Sequence, residues 1–203
     1  MTTDRLHIVL MGDSIFDNRT YTGGGPAVID QVNEQLCGSG RATLLAIDGH
    51  CAGDLAEQLP RLPDDTTHIV VSAGGNDALL NDGVLSERVG SVVEAALRIG
   101  DIANQFETQY RDAVREIVNV NPAVTVCTIY NGAFPDPTWQ KAVTATLRVF
   151  NEAIFRVANE LGLPVIDLRD VCNQPKDYAN PIEPSSVGGA KIARAIVDMV
   201  AGT

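Results

Sequence analysis

The chain has 203 residues, enough for one domain spanning 1–203 with a large core. It is 45% hydrophobic and 20% charged, the composition of an ordinary globular protein. A net charge of −11 excludes the basic surfaces that nucleic acid and anionic membranes require.

No run approaches the ~18 apolar residues of a membrane span. Asp4 and Arg5 precede the first apolar run without a signal-peptide layout. Cys37, Cys51, Cys127 and Cys172 are scattered, without paired metal-type spacing. Free thiols in a reducing cytoplasm are expected, with no metal and no cofactor.

Apolar strand-like runs alternate with helical patterns, which predicts parallel βαβ units. The first strand covers about 6–11 and ends at Gly12-Asp13-Ser14. Pro26 opens a helix in which Val28, Ile29, Val32 and Leu36 share a face. Residues 42–47 read as the second strand, and 54–62 as a short helix or turn closed by prolines. Residues 68–73 read as the third strand.

A long helical region follows, read as two helices meeting near Gly100. Val89, Val92, Val93, Ala96 and Leu97 form the first stripe; Ile102, Phe106, Tyr110, Val114 and Ile117 form the second. The fourth strand is about 124–130. From Thr138 a helix repeats Val143, Leu147, Phe150, Ile154, Val157 and Leu161 at intervals of three and four, until Gly162. Residues 164–167 are a short fifth strand, and the last helix starts near Ser185 or Ser186. The expected architecture is α/β: a three-layer αβα sandwich around a five-stranded parallel sheet.

Polar and glycine-rich segments recur just past the predicted strand ends, where open parallel sheets bind ligands. They are Gly12-Asp13-Ser14, then Asp48-Gly49-His50-Cys51-Ala52-Gly53-Asp54, then Gly74-Gly75-Asn76-Asp77. A fourth block, Asn180-Pro181-Ile182-Glu183-Pro184-Ser185, precedes the last helix. Taken singly each reads equally as turn chemistry. Gly12-x-Ser14-x-Phe16 lacks the second glycine of a nucleophile elbow. No Gly-x-Gly-x-x-Gly or P-loop follows the first strand, which argues against a nucleotide site.

In order and spacing these blocks resemble the SGNH (GDSL-type) hydrolase family, over almost the whole chain. The resemblance implies strand order 2-1-3-4-5 and hydrolysis of a small-molecule carboxylic ester or an acylated sugar, with acetyl or short acyl groups in view. It implies Ser14 as nucleophile. It implies the Ser14 amide, the Gly53 amide and the Asn76 carboxamide as oxyanion donors. The physical requirements agree: glycine allows close backbone approach, and a carboxamide presents two donors.

The family's base is a histidine with an aspartate three residues before it. Here those positions hold Glu183 and Asn180. There are three histidines to consider as substitutes. His7 and His68 begin strands, so each lies ~20 Å from the site end at ~3.3 Å per residue. His50 shares a loop with Gly53 and either lines the pocket or is a plain loop residue. Glu183 either faces Ser14 as a replacement base or ligand group, or is a loop residue beside a helix N-terminus, where negative charge is favourable. Burial would raise its pKa and strengthen it as a base. Asn180 is then expected to donate to that carboxylate without charge repulsion.

Asp13 is a candidate for the pocket wall, Asp17 and Asn18 either line the pocket or cap a turn, and Asp77 is a candidate for supporting the Asn76 loop. Phe134-Pro135-Asp136-Pro137-Thr138-Trp139 reads either as a substrate wall or as a packed loop. Two functions follow: a slow ester hydrolase with Glu183 as base, favoured by alkaline pH, or a binding protein that keeps the pocket without turnover.

Overall fold

A computed structural model describes residues 5–202; Asp4 lies outside the described residues. Strands β1 (Leu6–Gly12), β2 (Gly40–Leu44), β3 (His68–Ser72), β4 (Val124–Cys127) and β5 (Val165–Ile166) form one parallel sheet in the order β2-β1-β3-β4-β5. The short, predominantly apolar strands β1, β3 and β4 are buried on both faces, as the sequence pattern requires.

Side-chain alternation along the strands divides the core in two. Val9, Met11, Ile69, Val71, Val124 and Val126 pack under α3 (Val92–Val120) and α4 (Pro137–Leu161). Ile8, Leu10, Val70 and Cys127 pack under α1 (Val28–Leu36) and α6 (Ser186–Ala201). The result is the expected three-layer sandwich. Two short helices, α2 (Gly75–Leu80) and α5 (Leu168–Val171), follow strands directly and were not separable in the sequence pattern.

Several boundaries differ from the sequence reading, each for a local reason. The second strand ends at Leu44 rather than 47, because the Leu45 and Ala46 amides both donate to the Leu10 carbonyl. The fourth ends at Cys127 rather than 130. There the Asn151 side chain takes over, accepting from the Ile129 amide and donating to the Ile129 carbonyl. The two helices expected to meet at Gly100 are one helix. A mid-helix glycine costs only about 1 kcal/mol, and Gly100 has open space around it. Val89 lies before that helix, and Val92, Val93 and Leu97 are exposed rather than packed.

Two caps match the sequence signals: Gly162 closes α4 at φ +68°, and the Ser185 hydroxyl accepts from the Val187 and Gly188 amides. At the start of α4 the Asp136 carboxylate, not read as a cap, accepts from the Thr138 and Trp139 amides.

Gly12 ends β1 and sets the position of the next two residues. Its φ is +130°, and a Cβ there would stand 1.8 Å from the Ser72 carbonyl oxygen. The fully buried Gln58 side chain brackets it, donating to the Gly12 carbonyl at 2.8 Å and accepting from the Gly12 amide at 2.9 Å. Gly12→Ala is therefore expected to destabilise the fold by about 3 kcal/mol or more, from overlap added to backbone strain. Urea unfolding monitored by circular dichroism measures this, and an unchanged midpoint would refute it.

Candidate active site

Past Gly12 the chain makes a single helical turn: the Phe16 and Asp17 amides both donate to the Asp13 carbonyl. The Asp13 carboxylate also accepts from the Ile15 amide at 3.1 Å. That Asx turn sets Ser14 at the C-terminal end of β1, and its amide has no acceptor among the described residues. Ser14 is 7% exposed.

Its hydroxyl donates to Glu183 Oε1 at 3.1 Å. The residues are 169 positions apart in the chain, so only the tertiary fold brings them together. Glu183 is 5% exposed and is not a surface loop residue. Its other carboxylate oxygen, Oε2, is buried without a partner.

Three devices hold Glu183 there. Its amide and that of Ile182 both donate to Asn180 Oδ1 at 2.9 Å. Its carbonyl accepts from the Ala179 amide, next to a bridge between Tyr178 and Pro184. Tyr130 donates its hydroxyl to the Ile182 carbonyl at 2.6 Å. Asn180 thus corrects the expectation: it accepts backbone amides and is exposed, rather than donating to the Glu183 carboxylate. An asparagine oxygen serves a turn of this kind as an aspartate oxygen does.

Asn18, expected either to line the pocket or to cap a turn, does not line the cleft. It is fully buried; its Oδ1 accepts from the Val28 amide and its Nδ2 donates to the Pro184 carbonyl. It ties the Ser14 turn to the Glu183 loop and to the start of α1. Asp17 is likewise off the cavity wall, accepting from the Asp48 amide at 3.1 Å.

Asn76, in the first turn of α2, lines the cavity. Its Nδ2 donates to the His50 carbonyl at 2.9 Å, which leaves its second N–H for a ligand. Asp77 behind it accepts from the Ala52 amide at 3.0 Å, the supporting role expected of it. His50 is not on the cavity wall; its Nδ1 pairs with Gln58 Nε2. His7 is buried at the other end of β1, between Asp65 and Thr43.

Gly53 is not brought to the cavity. It is exposed, in a 3-10 helix over Ala52–Glu57, with open space around it. Gly49 of the same block does not line the cleft either, and its neighbours act on the site from behind the wall. Asp48 raises the charge cost on Glu183, and the His50 carbonyl holds Asn76. Gly49 has φ +88°, and its amide has no acceptor among the described residues.

The carboxyl groups here are strongly perturbed. Burial, reinforced by Asp48, raises the Glu183 pKa to about 7 against the opposing hydrogen bond from Ser14. Burial raises Asp13 to about 8; the Ile15 amide opposes this, and Glu183 and Asp77 add to it. At neutral pH Asp13 therefore carries its proton while Glu183 stands near half ionisation. Among the described residues no group of His, Cys, Asp or Glu has the arrangement to hold a metal ion.

Ser14, Asn76 and Glu183 open onto a cleft with about 100 Å³ of room for the centres of water-sized molecules. Its remaining walls are mainly apolar and include Phe134 and Trp139, so the segment after β4 is a cavity wall as well as a packed loop.

A model of the GDSL-like lipase/acylhydrolase family matches residues 10–188. The chain belongs to that family. The match takes in Ser14, Asn76 and Glu183 on a GDSL-like fold. Searching curated proteins gave no match. Among solved structures, an extracellular lipase from Streptomyces rimosus is similar at 17% identity, covering 94% of this chain and 98% of that one, with a TM-score of 0.67. A phospholipase A1 from Streptomyces albidoflavus is similar at 14% identity over 95% and 98%, TM-score 0.68. A catalytic mutant of an acetylxylan esterase from Geobacillus stearothermophilus is similar at 18% identity over 96% and 94%, TM-score 0.63. At these identities the likeness is one of fold. Among the described residues no helix is long and apolar enough to cross a membrane.

Proposed function

We propose that this GDSL-like chain is a serine ester hydrolase in which Glu183 does the work of the missing histidine. The observation that carries the reading is the hydrogen bond from the Ser14 hydroxyl to Glu183 Oε1, at the polar end of a cavity otherwise fit for an acyl group. A nucleophile within hydrogen-bond reach of a base whose pKa is near the working pH is the arrangement such chemistry needs.

In the first step Ser14 Oγ attacks the ester carbonyl carbon as its proton passes to Glu183 Oε1. The carbonyl oxygen becomes an oxyanion, held by the Ser14 amide and the free N–H of Asn76. One such donor is worth ~3 kcal/mol of barrier. The bond to the alcohol then breaks, and Glu183 returns the proton to the departing oxygen. In the second step water attacks the acyl-serine, Glu183 takes the water proton, and the acid leaves as Ser14 regains its own. The unpartnered Oε2 is free to accept from the attacking water.

Burial that pushes the Glu183 pKa to about 7 makes the carboxylate a stronger proton acceptor than an exposed one. Only the ionised form can act. kcat/KM for p-nitrophenyl butyrate is therefore expected to rise with pH through about 7 and to level off above it. Glu183→Gln should remove that rise together with most of the rate. A rate indifferent to Glu183→Gln would overturn the assignment.

The unpartnered Oε2 also favours a second reading: a carboxylate with no group to orient it is a poor base, suited to a pocket that binds without turnover. Absence of Ser14-dependent hydrolysis for every ester tried, with ligand binding retained, would select it.

A further inference from the structure

We infer that the acid part of the substrate is an unbranched acyl chain of roughly octanoyl size, lodged in an apolar chamber between α3 and α4, rather than an acetyl group. The inference rests on the ester-hydrolase reading and adds the substrate class to it.

The cavity has two chemically distinct regions. Asp13, Ser14, Asn76 and Glu183 lie together at the C-terminal ends of the strands. The rest, mainly apolar although Asn81, Asp82, Asn131 and Thr146 also border it, includes one face of α4 through Trp139, Val143, Leu147 and Phe150. These recur at the three- and four-residue spacing of a single helix face, over ~16 Å at 1.5 Å per residue. Ile99 and Ile102 of α3 form the opposite wall.

The packing of α3 explains why this space exists. Its C-terminal half is buried through Phe106, Tyr110, Val114 and Ile117. Its N-terminal half has no buried residue, so there it leaves room where further on it closes on the core. Phe150 and Leu147 are almost fully buried, so the chamber reaches the core itself.

An acetyl group would leave these walls without a partner. A sugar there would lose its hydrogen bonds to water and find few replacements. An alkyl chain meets both conditions. Each CH2 buried contributes ~0.8 kcal/mol, which converts to a gain of up to about fourfold in kcat/KM per added carbon.

The test uses wild-type protein and p-nitrophenyl acetate, butyrate, octanoate and decanoate below their micelle concentrations. kcat/KM is expected to climb from acetate to octanoate by about tenfold or more. Val143→Trp and Leu147→Trp, which fill the chamber from α4, should each lower the octanoate-to-acetate ratio by about tenfold. Either variant suffices if the other fails to fold. A profile that is flat, or that falls from acetate, overturns the inference.

Binding separates this from failure of the hydrolase reading. Octanamide and acetamide are neutral and so avoid repulsion by Glu183. Titrated calorimetrically into wild type, octanamide should bind at least about tenfold more tightly, with a negative heat-capacity change. If no ester is hydrolysed yet octanamide binds so, the hydrolase reading fails and the chamber stands. If esters are hydrolysed while octanamide binds no better than acetamide, the chamber fails alone.

Discussion

Ser14→Ala is expected to lower kcat/KM for p-nitrophenyl ester hydrolysis by about three orders of magnitude, and Glu183→Gln by a comparable factor. The two effects should not add. Ser14 Oγ and Glu183 Oε1 share one hydrogen bond and one proton, so removing either disables the same step. The double variant should be about as slow as the slower single one. What remains in all three comes from the oxyanion donors, which neither change removes. Additive losses would mean that the two side chains act separately, and the proton transfer drawn between them would be wrong. Glu183→His is the informative replacement. It places an imidazole where the family resemblance implies one, and a gain in rate would show that the loop geometry already suits such a base.

The second large effect concerns stability and falls on Asp13. Its carboxyl is 2% exposed, and burial with Glu183 and Asp77 nearby raises its pKa to about 8. The unfolded chain would hold that proton only below ~4. Between those values the folded state binds more protons than the unfolded state, so stability falls as pH rises. The contribution is favourable below about 4 relative to alkaline pH, and it is fully lost once pH exceeds about 8. A shift of this size corresponds to several kcal/mol, on the order of 5 above pH 8. Asp13→Asn keeps an oxygen for the Ile15 amide and carries no charge. It should therefore stabilise the protein by several kcal/mol at pH 9 and by only about 1–2 kcal/mol at pH 5. Denaturant midpoints at the two pH values test this, and an equal change at both would remove the protonated Asp13 from the description.

The sequence carried the sheet almost entirely, because strands buried on both faces leave unmistakable apolar runs such as Ile8-Val9-Leu10-Met11. It carried Ser14 and Asn76 for a related reason: each lies one turn past such a run. Glu183 was legible as a position but not as a direction, since facing Ser14 depends on Asn18, Tyr130 and Asn180, from three separate parts of the chain. Gly53 came from the family resemblance alone, and the 3-10 helix that begins at Ala52 leaves it exposed and off the cleft wall. The chamber could not be read at all. Val143 and Leu147 belong to the same stripe as Ile154 and Val157, and periodicity does not tell a helix face that lines a space from one that fills it.

Neither His7 nor His50, each hydrogen-bonded away from the cleft, can reach the reaction centre. Diethyl pyrocarbonate, the reagent commonly used to expose a catalytic imidazole, should therefore leave turnover largely intact. Carbodiimide with an amine nucleophile should extinguish it, and an organophosphonate should still label the serine. Inhibitor profiling that expects all three reagents to agree would file this protein under the wrong chemistry.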